Sequence, residues 1–135
     1  MMQRVLPSLL LLTMFALPAR AATKANTIVM HPGDVVYARF ETNGKKIKLA
    51  DASKEKDDRA QVIFSLTREA ESLEVKLKVE NKFPKDLVYT AVLRSRRLDR
   101  ESRGEVSPVV GGKLAFETFP PLVDEVTLSD FKLEQ

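Results

Sequence analysis

The sequence predicts an all-β fold: an antiparallel two-sheet sandwich of about seven or eight strands, preceded by a cleaved signal peptide. Three observations predict it. Apolar residues recur at every second position through most of the chain, two glycine-containing pairs stand where tight hairpins need them, and turn residues return at spacings of roughly ten. A chain of 135 residues, 44% hydrophobic and 30% charged, has the composition of one small globular domain and not that of a disordered or collagenous polymer.

Residues 1–21 read as the signal peptide. Arg4 supplies the positive start, Val5 to Leu17 the apolar run, and Ala19, Arg20 and Ala21 the small-residue cleavage site ahead of Ala22. The apolar run is about thirteen residues against the roughly 20 of a membrane-spanning helix, which disfavours the alternative of an uncleaved anchor. Cleavage leaves one domain, residues 22–135, periplasmic or secreted, by a bacterial or a eukaryotic route. It removes Arg4 and Arg20 but no acid, so the formal charge falls from +3 to +1. The basic balance of the whole chain is therefore no footprint of nucleic acid, and neither a nucleic-acid partner nor a membrane span after cleavage is expected. With no cysteine, the exported domain has no disulfide and no thiol to accept a lipid. A mature chain of this size buries about two-thirds of its unfolded surface and is held together by its core.

The elements follow in order. Thr27 to Met30 is a short strand, bounded by Pro32 and Gly33 and read as a sheet edge. Val36, Ala38 and Phe40 share a face of the next strand, which ends at Asn43-Gly44, a pair that supports the positive φ of a tight hairpin, with Ile47 and Leu49 returning as its partner. A charged loop, Asp51 to Arg59, leads to Val62, Phe64 and Leu66, with Ile63 on the other face. The clearest alternation is Leu73, Val75, Leu77 and Val79 against Glu74, Lys76, Lys78 and Glu80, a half-buried strand. Pro84 marks a turn, after which Leu87 to Leu93 carries apolar residues on both faces and reads as a central strand buried on both sides. Gly111-Gly112 pairs Val106 to Val110 with Leu114 to Phe119, and Pro120-Pro121 stops the ladder because neither residue has an N–H to donate. In the last strand, Val123 to Leu133, Val126 and Leu128 are out of phase with Phe131 and Leu133, and a bulge near Ser129 restores the phase.

Asp86, Tyr89 and Ala91 resemble in outline the tyrosine corner of immunoglobulin-type domains, with alanine where a cysteine would fall. The likeness implies an Ig-like sandwich. It covers about six residues, its Asp-to-Tyr spacing is one residue short, and the chain has no tryptophan to pin the core. A small up-and-down barrel remains open, because alternation does not distinguish a closed sheet from two packed ones.

The residues exclude several chemistries. His31 is the one histidine, so a serine or cysteine mechanism has one ordinary base at most, and no serine sits in a Gly-x-Ser-x-Gly elbow. Acids are scattered over strand faces and loops, where solvation keeps a carboxylate from being tuned for glycoside hydrolysis. A non-enzyme without cofactors is expected. Met30-His31 offers copper two soft donors and needs more from elsewhere; Asp51 to Arg59 lacks the Asp/Asn spacing and glycine of a calcium loop, so no metal site is assigned. The candidate partner-binding residues are Arg94, Arg96, Arg97, Arg100 and Arg103, whose guanidinium forks suit carboxylate or phosphate oxygens. If the strand before them runs on through Leu98, Arg94 and Arg96 share one face and Arg97 the other.

The reading is an exported, soluble, non-catalytic protein-interaction module of the bacterial envelope. It works through an open strand edge or the arginine hairpin on another envelope protein. The alternative is a small-ligand or copper carrier of the periplasm on the same scaffold.

Overall fold

The computed structural model describes residues 22–134, so the signal peptide expected over residues 1–21 lies outside the described residues. Ten strands form one antiparallel sheet: β1 Ala22–Lys24, β2 Thr27–Met30, β3 Val35–Asn43, β4 Lys46–Ser53, β5 Val62–Arg68, β6 Val75–Asn81, β7 Asp86–Ser95, β8 Arg100–Gly104, β9 Leu114–Phe119 and β10 Glu125–Glu134. No helix among the described residues is long and apolar enough to cross a membrane.

The topology turns on β10. Its first half, Val126–Leu128, lies between β2 and β7. The register then shifts between Ser129 and Lys132, Asp130 takes a φ of 55°, and Lys132 pairs with Lys46 of β4 while the strand stays against β7. This is the bulge that the phase change required: it puts Val126, Leu128, Phe131 and Leu133 all into the core. From β4 the sheet runs through β3, β5 and β6 to β9; from β7 it ends at β8. The two expected layers are thus joined through β10 into one wrapped sheet. It is nearly closed, as in the barrel alternative, and stops at a seam between the edges of β8 and β9, which are unpaired among the described residues.

Alternation decided most of the register. Val36, Ala38, Val62, Phe64, Leu66, Val75, Leu77 and Val79 are fully buried. A line of edge-on aromatic contacts, Phe40 to Phe131 at 5.1 Å and Phe64 to Tyr89 at 6.2 Å between ring centroids, joins the facing parts of the sheet.

Five expectations are corrected. Thr27–Met30 is no edge, since β1 flanks it on one side and β10 on the other. Gly44 alone carries the positive φ of the β3–β4 hairpin, at 68°, and Asn43 is still paired, with Lys46; Gly44-Lys45 is the tip. Leu73 has a φ of 63° and is 52% exposed, because it belongs to the Glu69–Glu74 turn and not to β6. β7 is buried on one face only: Leu87, Tyr89, Ala91 and Leu93 point inward, while Val88, Thr90 and Val92 are half-buried on the open face.

Last, Val106 to Val110 is not the partner of β9, which pairs with β6. Pro108 lacks an N–H, and the backbone of Val109 is taken by Leu87 in an isolated two-bond bridge of 2.9 Å contacts. The segment between β8 and β9 is therefore a crossover. It is fastened by Asn81, whose Nδ2 donates to Lys85 O at 2.9 Å and Val109 O at 3.0 Å and whose Oδ1 accepts from Phe83 N at 3.0 Å.

Candidate binding site at the open strand edge

β7 and β8 form a hairpin in the register Ser95↔Arg100, Arg94↔Glu101, Leu93↔Ser102 and Val92↔Arg103. The strand ends at Ser95 and does not run on to Leu98. Arg96–Asp99 is the turn, closed by Asp99 N donating to Arg96 O at 3.1 Å and Leu98 N to Ser95 Oγ at 3.3 Å. Asp99 accepts the left-handed φ of 46° that the turn demands, a conformation that Asp tolerates better than most residues.

That geometry sorts the five arginines. Arg94 faces outward and is paired with Glu101 at 3.1 Å. Arg96 is tied down through its backbone, with its N–H donated to Asp124 Oδ2 at 2.9 Å and its Nε 4.0 Å from Asp124 Oδ1. Arg97, Arg100 and Arg103 are exposed and form no ion pair with any described residue. Arg97 lies at the tip, Arg103 shares the outward face with Val92, and Arg100 shares the inward face with Ser102. One hairpin thus holds all five residues but leaves only three guanidinium groups unpaired.

Inward of the hairpin lies a groove of about 440 Å³, lined by Leu93, Leu98, Arg100, Ser102, Pro121, Leu122 and Val123 among others. Its far wall is the loop after β9, which stops at Phe119 where the two prolines follow, as expected. Arg68 at the end of β5 pins that wall: Nη1 donates to Pro121 O and Leu73 O, and Nη2 to Val123 O at 2.8 Å. Asp124 N donating to Arg94 O at 3.0 Å ties the other end of the loop to β7. Leu98 and Leu122, 48% and 40% exposed, flank the groove. Neither stands out in the sequence, since a lone leucine beside charged residues or prolines carries no periodic signal.

Further along the seam, Gly104 of β8 lies against Phe119 and Leu93, and a Cβ there would stand 3.2 Å from each side chain. Ser107 N donates to Glu117 Oε2 at 2.8 Å, so the Glu117 carboxylate fastens the crossover to β9. The Tyr89 hydroxyl is buried with no hydrogen-bond partner among the described residues, so the hydroxyl-to-backbone bond of a tyrosine corner is absent. Burial, and beyond it the charge of Glu117, raises the Tyr89 pKa well above the ordinary phenol value. A phenol with a raised folded-state pKa contributes stability below about pH 10 that is lost as pH climbs further. Tyr89→Phe is therefore expected to hold or raise Tm at pH 7 and to flatten the alkaline fall in stability, read by thermal melts from pH 8 to 11.

The other sequence candidates lie apart. His31 Nε2 is 3.2 Å from Glu125 Oε1 and Nδ1 is 3.7 Å from Asp34 Oδ2, while Met30 is fully buried, so the two neighbours face opposite ways. No group of three metal-ligating side chains converges among the described residues. The acidic loop begins later than expected, because β4 runs on to Ser53. Asp57 there is 3.1 Å from Arg39 Nε, and the Arg59 N–H, with the charges of Arg59 and Arg39, holds its carboxyl below the usual carboxylate range. One cluster was not anticipated: Lys45, Lys46 and Lys132 border a cleft floored by Ile47, Phe131 and Leu133. The Lys45-Lys46-x-Lys48 run after Gly44 was its visible part, and β10 adds Lys132.

Comparison with protein-family models, curated proteins and solved structures found no match to this chain.

Proposed function

We propose that the protein is an exported, non-catalytic interaction module of the cell envelope that binds another protein through the β8 edge and the arginine hairpin. One observation carries this reading: among the described residues β8 has a hydrogen-bonding partner on one side only, and the three unpaired arginines stand on it or on the adjoining turn. An edge strand presents a row of unpaired N–H and C=O groups, and adding a partner strand there is a common mode of recognition. Unpaired guanidinium groups at the rim steer an acidic partner and set its register, whereas the paired Arg94 and Arg96 hold the hairpin in shape.

The triple variant Arg97→Glu, Arg100→Glu, Arg103→Glu, which leaves the paired Arg94 and Arg96 in place, tests it. Cross-linking in an envelope fraction of the native host is expected to join the wild-type chain to a discrete partner, with the product falling about tenfold in the variant and at high salt. Circular dichroism of the variant should match the wild type, because none of the three side chains is in the core. A cross-linked product equally abundant in both proteins overturns the reading.

A further inference from the structure

We infer that the groove inward of β8 is the anchor pocket for an extended acidic peptide segment, one apolar side chain of which seats between Leu98 and Leu122 while its backbone pairs with β8. This rests on the reading above and names the partner chemistry of that site.

Three features meet at one place. The groove's volume of about 440 Å³ lies within the range of roughly 300 to 1,000 Å³ typical of ligand sites, and its walls are apolar. It adjoins β8, since Arg100 and Ser102 of that strand line it, so a segment laid along the edge points alternate side chains into it. Its one charged lining residue, Arg100, has no acid partner among the described residues, nor does Arg97 in the adjoining turn, and this selects an acidic occupant.

The wall is also fixed in advance. Pro120 and Pro121 cannot donate to β8, so the chain's own loop leaves the edge unfilled, and Arg68 holds the Pro121 and Val123 carbonyls in place. A pre-formed pocket spares a ligand the entropy of ordering it, and a central apolar anchor ringed by polar contacts is the usual arrangement of a binding hot spot.

A displayed library of random dodecapeptides, selected on the whole domain, tests the inference. Selected sequences are expected to converge on a leucine, valine or phenylalanine flanked by aspartate or glutamate at alternate positions. A synthetic peptide of that consensus should bind the wild type, and weaken about tenfold or more on Leu122→Glu, on Leu98→Glu, or on glycine replacing its apolar residue. Both leucines are exposed, so the variants retain the fold, which circular dichroism verifies. Failure to converge, convergence on basic sequences, binding unmoved by either variant, or a concentration-dependent dimer filling the groove overturns the inference. If the envelope cross-link is lost in the arginine variant but retained in Leu122→Glu, the anchor pocket falls and the interaction reading stands; if both variants keep the cross-link, both fall.

Discussion

Asn81→Leu is expected to lower stability by about 3 to 5 kcal/mol, more than any other single substitution at the crossover. Asn81 is 2% exposed and uses both ends of its amide. The amide nitrogen holds the carbonyls of Lys85 and Val109, and the oxygen holds the N–H of Phe83. Leucine fills much the same volume, so packing changes little, but it leaves the buried Phe83 N–H and the part-buried Lys85 carbonyl without their amide partners, at about 1 to 3 kcal/mol for a buried group left unpaired. Val109 O retains the N–H of Leu87, which limits the loss. A chain of this size should show a fall in Tm of roughly 15 °C or more, by calorimetry at pH 7. A fall under about 3 °C would mean that the amide is dispensable and the crossover is held by the Leu87–Val109 bridge alone.

Gly111→Ala should be nearly as damaging, by another mechanism. A Cβ at this position would stand 2.3 Å from Pro84 O, 2.5 Å from Pro84 C and 2.9 Å from Lys85 N. These are backbone atoms, so no rotamer change relieves the clash; the 82–85 turn or the crossover must move. Gly111 N donates to Asp86 Oδ1 at 3.0 Å and Gly112 N to Phe83 O at 2.8 Å, so movement also strains two hydrogen bonds. We expect a loss of about 2 to 4 kcal/mol, at the upper end of overpacking. Gly112→Ala meets no atom within 4 Å but requires a φ of 71°, for which about 1 kcal/mol is expected. The order Gly111 worse than Gly112, read from urea midpoints, separates a steric from a conformational demand. The reverse order would place the close approach elsewhere.

Both substitutions strike the same fastening, which carries the chain from the open β8 edge to β9. Alternation could not reveal it. Gly111-Gly112 reads locally as a hairpin tip, and only the third dimension shows that Gly111 is there because the backbone at Pro84 passes within contact distance. Tyr89 is a similar case. Its spacing from Asp86 and Ala91 resembled a known corner, yet the hydroxyl finds no partner among the described residues and Asp86 binds Gly111 instead. The arginines were legible as a cluster, because charge density is a property of the string. Their division into paired and unpaired members was not, because Asp124, which engages Arg96, comes from a distant part of the chain.

By itself, the order of residues determined the strand-rich character of the chain, most of the inward-facing side chains and the bulge in β10. Each of these follows from a period of two, which a local window contains. The tertiary structure alone decided that the sheet wraps into one nearly closed surface, which edges stay unpaired, and that Leu98 and Leu122 meet across a groove. Those outcomes depend on strand order and long-range pairing, where residues such as Lys46 and Lys132 become neighbours only when distant segments are brought together.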